Sequence, residues 1–409
     1  LRLSGLPPNA PVELTAEWQG CRARGIFRAD AIGVVDPSIQ ASSGGTYQGT
    51  DSQGLLWSMV CPAERTRSSR RSRRIHFGAR VGGRVVASAG LERLWAAPGV
   101  VVKHVNEGGI VGKLYLPPGE GPFPTVIVIG GSEGGIWGSV DRAAYLAHRG
   151  FAALALGYFG LPGLPPELKG VPVETFGRAI AWLKRQPRLK TDHLGLWGLS
   201  RGGELALLAA TKYPQFSAVV AAVPSAVVWP GLSASQKAPV AWTWGGKPVP
   251  AILSDSGSQG EGKTVLMPDG KTRAAVYTPD FEAEMARRDR VARAAIPVER
   301  IQGPVLLLGG KADALWPSAR FTRMTWDRLR SAHHPFADEI HNYADAGHDL
   351  CSLPGESTTF EFVKENEQGG WFAFGGTARG NAAAQREALQ AIDRFLDANL
   401  KPAPRLSQR

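Results

Sequence analysis

From about Gly99 onward the chain alternates short apolar runs with stretches of helical periodicity, and few folds accommodate that pattern. Thr125 to Ile129, Phe151 to Leu156, His193 to Trp197, Ala218 to Ala222, Val305 to Leu308 and Glu339 to Tyr343 read as strands. Val140 to His148, Glu174 to Arg185, Gly202 to Lys212 and about Asn381 to Leu400 read as helices. Runs that are apolar at every position, rather than every second one, suit strands covered on both faces. Helices placed between such strands imply βαβ units and a mainly parallel sheet. Pro117, Pro118, Gly119, Gly121, Pro122 and Pro124 form a rigid turn that feeds the chain into Thr125 to Ile129.

The first hundred residues carry a different pattern. Short alternating segments such as Pro11 to Trp18, Cys21 to Ala29 and Arg84 to Leu94 are separated by glycine, proline and asparagine, with no convincing helical period. That is how a small antiparallel sandwich reads. A length of 409 residues exceeds one ordinary core and favours roughly two or three domains. The expected division is a β-sandwich over 1–100 and an α/β domain over 101–409. Between Pro224 and Arg300 the alternation lapses into a stretch rich in proline, glycine and tryptophan, expected to be an excursion or lid at about 224–300. Within it Val265 to Met267 and Arg273 to Tyr277 flank Pro268, Asp269 and Gly270, the signature of a hairpin.

Basic residues exceed acidic ones by 47 minus 36, a net charge of +11 that suits polyanionic or phosphorylated partners without naming one. Arg65, Arg67, Arg70, Arg71, Arg73 and Arg74 crowd one stretch, but no aromatic residues interleave with them. An exposed loop or edge strand is the expectation there, and nucleic acid is not an expected partner. Cys21, Cys61 and Cys351 are odd in number and lack CxxC spacing, so neither a disulfide framework nor a metal site is expected, and a reducing, cytoplasmic setting fits that usage. No apolar run is long enough to span a bilayer, so no integral membrane segment is expected. The amino terminus lacks the pattern of a retained signal peptide, while a start at Leu1 leaves a removed targeting segment open. Oligomeric state is not legible.

Chemistry enters at Gly198-Leu199-Ser200-Arg201-Gly202, a G-x-S-x-G pattern. A serine on a sharp turn between strand and helix needs flanking residues too small to clash. With 50 glycines in the chain the pattern alone is weak; its context, strand text before and helix text after, is what gives it meaning. In that context it matches the nucleophile elbow of an α/β-hydrolase, in which serine is followed along the chain by an acid and then by histidine, with a glycine-bracketed turn around an inert serine as the lesser alternative. Serine needs a base to take its proton and a third group to orient that base. Asp313 follows the strand Val305 to Leu308 through Gly309-Gly310-Lys311-Ala312, and His348 follows the next strand after Ala346-Gly347. Ser200, Asp313 and His348 are therefore expected at one rim of the sheet, where open α/β sheets bind ligands. Asp313 has an alternative as a helix N-terminal acid, and Asp345 and Asp349 are rivals placed too close to His348 in sequence to reach its far side. His333 and His334 look like a solvated helix end, and His341 like a strand residue.

An oxyanion hole needs two backbone N–H groups aimed at the developing charge. The amide of Arg201 is the first candidate. Gly131 and Ser132, in Gly130-Gly131-Ser132-Glu133-Gly134-Gly135, are candidates for the second; this cluster lacks the P-loop lysine and the dinucleotide spacing. No cofactor is implied. Trp229, Trp242 and Trp244 are tentative walls for an acyl chain, with packing as the plainer alternative.

These residues, with Gly54-Leu55-Leu56-Trp57-Ser58-Met59, Gly121-Pro122-Phe123-Pro124, Arg149-Gly150-Phe151-Ala152, Leu156-Gly157-Tyr158-Phe159-Gly160, Gly203-Glu204, Ile296-Pro297-Val298-Glu299, Leu315-Trp316-Pro317-Ser318 and Gly375-Gly376, carry a resemblance over nearly the whole length. The chain resembles the family of type I acyl-CoA thioesterases and bile acid-CoA:amino acid N-acyltransferases. The resemblance implies an immunoglobulin-like β-sandwich joined to an α/β-hydrolase domain and the hydrolysis of acyl-CoA to free acid and CoA. It places the family's nucleophile, acid and base on Ser200, Asp313 and His348. The transferase branch typically carries cysteine as nucleophile, so serine here favours hydrolysis over transfer to glycine or taurine. A carboxylesterase or a pathway-specific acyl hydrolase or acyltransferase would use the same triad, and a non-catalytic binding protein is the reading from a different class. The resemblance does not extend to the arginine-rich stretch or the three tryptophans, and so does not fix an acyl-chain preference.

Overall fold

The computed structural model describes residues 1–61, 74–94, 96–235, 239–252, 263–267, 270–350, 352–359, 362–364 and 370–402. The chain divides into two compact units: Leu1–Leu94 with Pro354–Glu361 and Thr377–Ala383, and Trp95–Leu353 with Phe362–Gly376 and Ala384–Arg409.

In the first unit β1 (Pro11–Trp18), β2 (Cys21–Arg28), β3 (Arg74–Val81) and β4 (Arg84–Glu92) form one antiparallel sheet in the order β2-β1-β3-β4. Alternation in β1 sends Val12, Leu14, Ala16 and Trp18 into the core beside Phe27, Tyr47, Leu55, Trp57 and Met59. Isolated bridges Arg22 to Val60 and Gly25 to Gly45 tie the long loops to this sheet, and Leu3 to Val35 and Ser42 to Gly49 pair the loop segments with one another.

The cysteine reading is corrected here: Cys21 and Cys61 form a disulfide. Arg22 and Val60 exchange both backbone hydrogen bonds, at 3.0 and 2.9 Å. That antiparallel register sets Cys21 opposite Cys61, with their Cα atoms 4.0 Å apart. Cysteine usage therefore does not argue for a reducing compartment. Of the arginine-rich stretch only Arg74, the first residue of β3, lies within the described residues.

The second unit is built on an eight-stranded sheet. Its strands are β5 (Val101–Glu107), β6 (Ile110–Leu116), β7 (Phe123–Ile129), β8 (Ala152–Gly157), β9 (Leu189–Leu199), β10 (Phe216–Ala222), β11 (Val305–Gly310) and β12 (Glu339–Tyr343), in the order β12-β11-β10-β9-β7-β8-β6-β5. The six strands from β12 to β8 run parallel. An antiparallel hairpin, β5 and β6, closes one side, so the alternation of strand and helix begins only at β7.

The continuous apolar runs do face two ways. Ile127, Ile129, Leu154, Leu156, Leu196, Val219 and Leu307 enter one core with helices Glu174–Leu183 and Arg201–Ala210. Val126, Val128, Ala153, Ala155, Trp197, Val220 and Leu308 enter the other with helix Trp137–His148 and, from Ala384 on, helix Ala378–Leu400. Val126 to Ile129 are wholly buried, each side chain contributing roughly 1.5–3 kcal/mol relative to exposure. This is the α/β-hydrolase layer order.

The excursion contains helices Thr278–Met285 and Arg288–Ala294 and short strands. Thr264–Leu266 and Arg273–Ala275 pair antiparallel as the hairpin reading expects, while Pro268 and Asp269 lie outside the described residues. Arg273–Ala275 then pairs parallel with Trp371–Ala373, drawing residues late in the chain against the excursion. No helix among the described residues is long and apolar enough to cross a membrane.

Candidate active site

Because β7, β9, β11 and β12 are parallel, the loops at their carboxyl ends share one rim. Ser200 follows Leu199 directly and opens helix Arg201–Ala210. Its φ is +58° and ψ −122°, a left-handed backbone that a β-carbon resists and that only an over-determined turn maintains. The flanking glycines show what determines it. A Cβ on Gly198 would sit 2.1 Å from the Gly202 carbonyl oxygen, and one on Gly202 would sit 1.9 Å from that of Gly130. Strand, helix and the loop after β7 meet here with no room for a methyl group.

His348 reaches this elbow from the loop after β12. Its Nε2 lies 2.9 Å from Ser200 Oγ and its Nδ1 2.9 Å from Asp313 Oδ2. Asp313 Oδ1 accepts the amides of Leu315 and Trp316 at 3.0 and 3.2 Å, so the carboxylate is fixed through both oxygens. The backbone amide of His348 donates to Phe374 O at 2.8 Å, and a Cβ on Gly347 would sit 2.1 Å from Gly375 O. The chain at Phe374 to Gly376 thus brackets the histidine loop, while the rings of Trp316 and Phe374 flank the imidazole at 5.7 and 5.6 Å. Ser200, Asp313 and His348 are all buried, at 8, 6 and 5% exposure, which strengthens every hydrogen bond among them.

Gly131 lies against the serine, its Cβ position 3.1 Å from Ser200 Cβ. Among the described residues, no backbone carbonyl accepts from the amides of Gly131 or Ser132. The amide of Arg201 stands in the first turn of its helix, where no earlier helical carbonyl is available. The amides of Gly131 and Arg201 thus both belong to residues beside Ser200.

Of the two readings of the tryptophans, the contacts found here are those of packing. Trp242 is fully buried and its indole N–H donates to Glu204 at 2.6 Å; Trp229 is 6% exposed, donates its indole N–H to Ser225 at 2.8 Å and packs edge-on to Phe281. Trp244 packs edge-on to Tyr213 beneath Lys212. Trp229 and Trp242 are thus packed into protein where the excursion meets helix Arg201–Ala210, and Trp244 is half-buried beyond the end of that helix. The reading of His334 is corrected: its side chain is buried, with Nδ1 2.7 Å from Asp338 and Nε2 2.8 Å from Ile301 O.

Glu204 escaped the sequence reading. It is wholly buried, 3.1 Å from the Arg201 guanidinium, which in turn donates to Trp229 O at 3.0 Å. Burial pushes its carboxyl up to about 7, against the opposing pull of Arg201 and Trp242. The available signal was a single acid on an otherwise apolar helix, three residues after an arginine: such a group must find a partner. Among the described residues no cluster of histidine, cysteine, aspartate or glutamate is arranged to hold a metal ion.

A serine on a strained strand-to-helix turn, hydrogen-bonded to a histidine that an aspartate orients, at the carboxyl rim of this sheet, defines the α/β-hydrolase class. Residues 171–402 match the family described as BAAT / acyl-CoA thioester hydrolase C terminal, and residues 1–107 the acyl-CoA thioester hydrolase/BAAT N-terminal region. Acyl-coenzyme A thioesterase 6 of Mus musculus is 33% identical over 98% of this chain and 94% of its own. Acyl-coenzyme A thioesterase 1 of Rattus norvegicus is 30% identical over 98% and 93%, and the peroxisomal succinyl-coenzyme A thioesterase of Mus musculus 30% over 85% and 81%. The chain belongs to the BAAT / acyl-CoA thioester hydrolase family.

Proposed function

We propose that this protein hydrolyses acyl-CoA thioesters to free acid and CoA through an acyl-enzyme on Ser200. The observation that carries the reading is the line of contacts from Ser200 Oγ through His348 to Asp313, 2.9 Å at each step, on a serine whose φ is +58°. The names of the relatives supply the substrate class, and the net charge of +11 suits the phosphates of CoA.

In this reading His348 takes the proton of Ser200 as its oxygen attacks the thioester carbonyl. The amides of Arg201 and of Gly131 or Ser132 stabilise the oxyanion. His348 returns the proton to the departing thiolate, then activates water to release the acid. Asp313 keeps Nδ1 protonated and the ring aligned. Serine at position 200 supports hydrolysis over transfer to an amine.

A panel of short, medium and long acyl-CoAs, set beside nitrophenyl esters, tests the reading. Free CoA released in step with acid, and abolished in a folded Ser200→Ala variant, is the expected result. Turnover of oxygen esters alone would move the reading to a carboxylesterase, and glycine conjugates formed in added glycine would move it to a transferase.

A further inference from the structure

The proposed chemistry leaves one buried hydroxyl beside the elbow without a role. Tyr158, just beyond β8, is 2% exposed, and its O–H lies 3.0 Å from Gly130 O and 2.5 Å from Gly131 O. A phenol has one proton to give, so two successive carbonyls gather on one donor. In a trans peptide the carbonyl of one residue and the N–H of the next point in opposite directions. Holding Gly130 O toward the phenol therefore turns the Gly131 amide away from it, and holding Gly131 O does the same for Ser132. Neither of these amides finds a backbone acceptor among the described residues, and Gly131 is the residue that abuts Ser200.

The phenol is itself braced. The rings of Phe159 and Trp242 lie 5.1 and 5.9 Å from it. Trp242 is anchored through its indole N–H to Glu204, and Glu204 pairs with Arg201, whose own amide is the donor on the far wall. One buried assembly thus touches both sides of the oxyanion hole. Glycine peptides at 130 and 131 have wide conformational freedom and would not hold this orientation unaided.

We propose that Tyr158 is a positioning residue for the oxyanion hole: its hydroxyl clamps the Gly130 and Gly131 carbonyls so that the amides of Gly131 and Ser132 stay turned toward the acyl oxygen. The proposal rests on the serine-nucleophile reading above. Tyr158 touches no reacting atom; it acts through the backbone it holds, so its removal weakens the transition state and leaves ground-state binding alone.

The test is Tyr158→Phe in the full chain, which deletes one oxygen and keeps the ring. With the best acyl-CoA of the panel, kcat falls by about tenfold or more, part of the 10²–10³ that losing one oxyanion donor costs, while KM stays within about twofold. Affinity for a trifluoromethyl ketone analogue of acyl-CoA, which forms a tetrahedral adduct, falls by the same factor as kcat/KM. Affinity for a thioether analogue that cannot be attacked is unchanged. An unaltered kcat, a rise in KM alone, or a drop in kcat without loss of trifluoromethyl ketone affinity overturns the proposal. Circular dichroism and thermal unfolding qualify the variant; if it does not fold in plain buffer, the same comparison is made for both proteins in sucrose, which favours the compact state without replacing the hydroxyl. Ser200→Ala separates the two ideas: a variant that still turns over defeats the nucleophile reading, whereas an inactive Ser200→Ala beside a fully active Tyr158→Phe defeats only this inference.

Discussion

Replacing Glu204 by glutamine makes the protein more stable at alkaline pH, and the gain follows from where the carboxylate sits. Glu204 is wholly buried under the elbow and its pKa is raised from 4.5 to about 7, burial outweighing the Arg201 guanidinium and the Trp242 indole. The folded chain thus holds this proton more tightly than the unfolded one. Stability from the group is whole below pH 4.5 and is lost as pH climbs through about 7. Worked through the linkage relation, the loss is about 1 kcal/mol at pH 5 and about 3 kcal/mol at pH 8. Glutamine resembles the protonated acid: it keeps an acceptor for Trp242 N–H at the 2.6 Å contact and for the Trp229 amide, and it does not ionise. Urea unfolding of wild type and Glu204→Gln at pH 5, 6, 7 and 8 measures the difference directly. The expected curve favours the variant by roughly 1 kcal/mol at pH 5, rising to roughly 3 at pH 8. A variant less stable than wild type at pH 8 would refute the reasoning, since it would mean that the ion pair with Arg201 outweighs desolvation.

Other outcomes follow from the same geometry. Asp313→Asn keeps the shape of the site but presents the wrong hydrogen-bonding partner to His348 Nδ1, so kcat drops by about 10⁴ with a small change in KM in steady-state assays. Gly202→Ala drives a methyl group to within 1.9 Å of Gly130 O and costs roughly 1–3 kcal/mol in denaturation, together with activity, because elbow and oxyanion loop must separate. Cys21→Ser with Cys61→Ser, or reduction of the wild type, costs the first unit about 3–4 kcal/mol for a bridge across 40 residues, read by urea unfolding with and without reductant. Three free thiols in the untreated denatured protein would show that the bridge does not form.

Much of this architecture is legible because it depends on local rules. Val126 to Ile129 must be buried on both faces to be tolerated, and that alone calls for helices above and below. The elbow declares itself through Gly198 and Gly202, whose missing side chains are a local steric need. Ser200, Asp313 and His348 could be brought together because strand ends share one rim, but other pairings made at a distance were not legible. Cys21 and Cys61 meet because Arg22 and Val60 set a register that no spacing announces. For the tryptophans at 229 and 242 wall and packing stayed open, because the sequence does not tell that Glu204, 25 and 38 residues earlier, accepts the backbone amide of one and the indole N–H of the other. The bracket on His348 comes from Phe374 and Gly375, brought in by pairing of Trp371–Ala373 with Arg273–Ala275, a tertiary choice without local cause.

In the proposed mechanism Ser200 carries the acyl group between the two halves of the reaction. Rapid acid quench during turnover of an acyl-CoA, followed by proteolysis and mass analysis of the peptide containing Ser200, tests it most directly. An added acyl mass on Ser200 in the wild type and none in Ser200→Ala is the expected result; an acyl group carried on another residue, or undiminished turnover by the alanine variant, would overturn the mechanism.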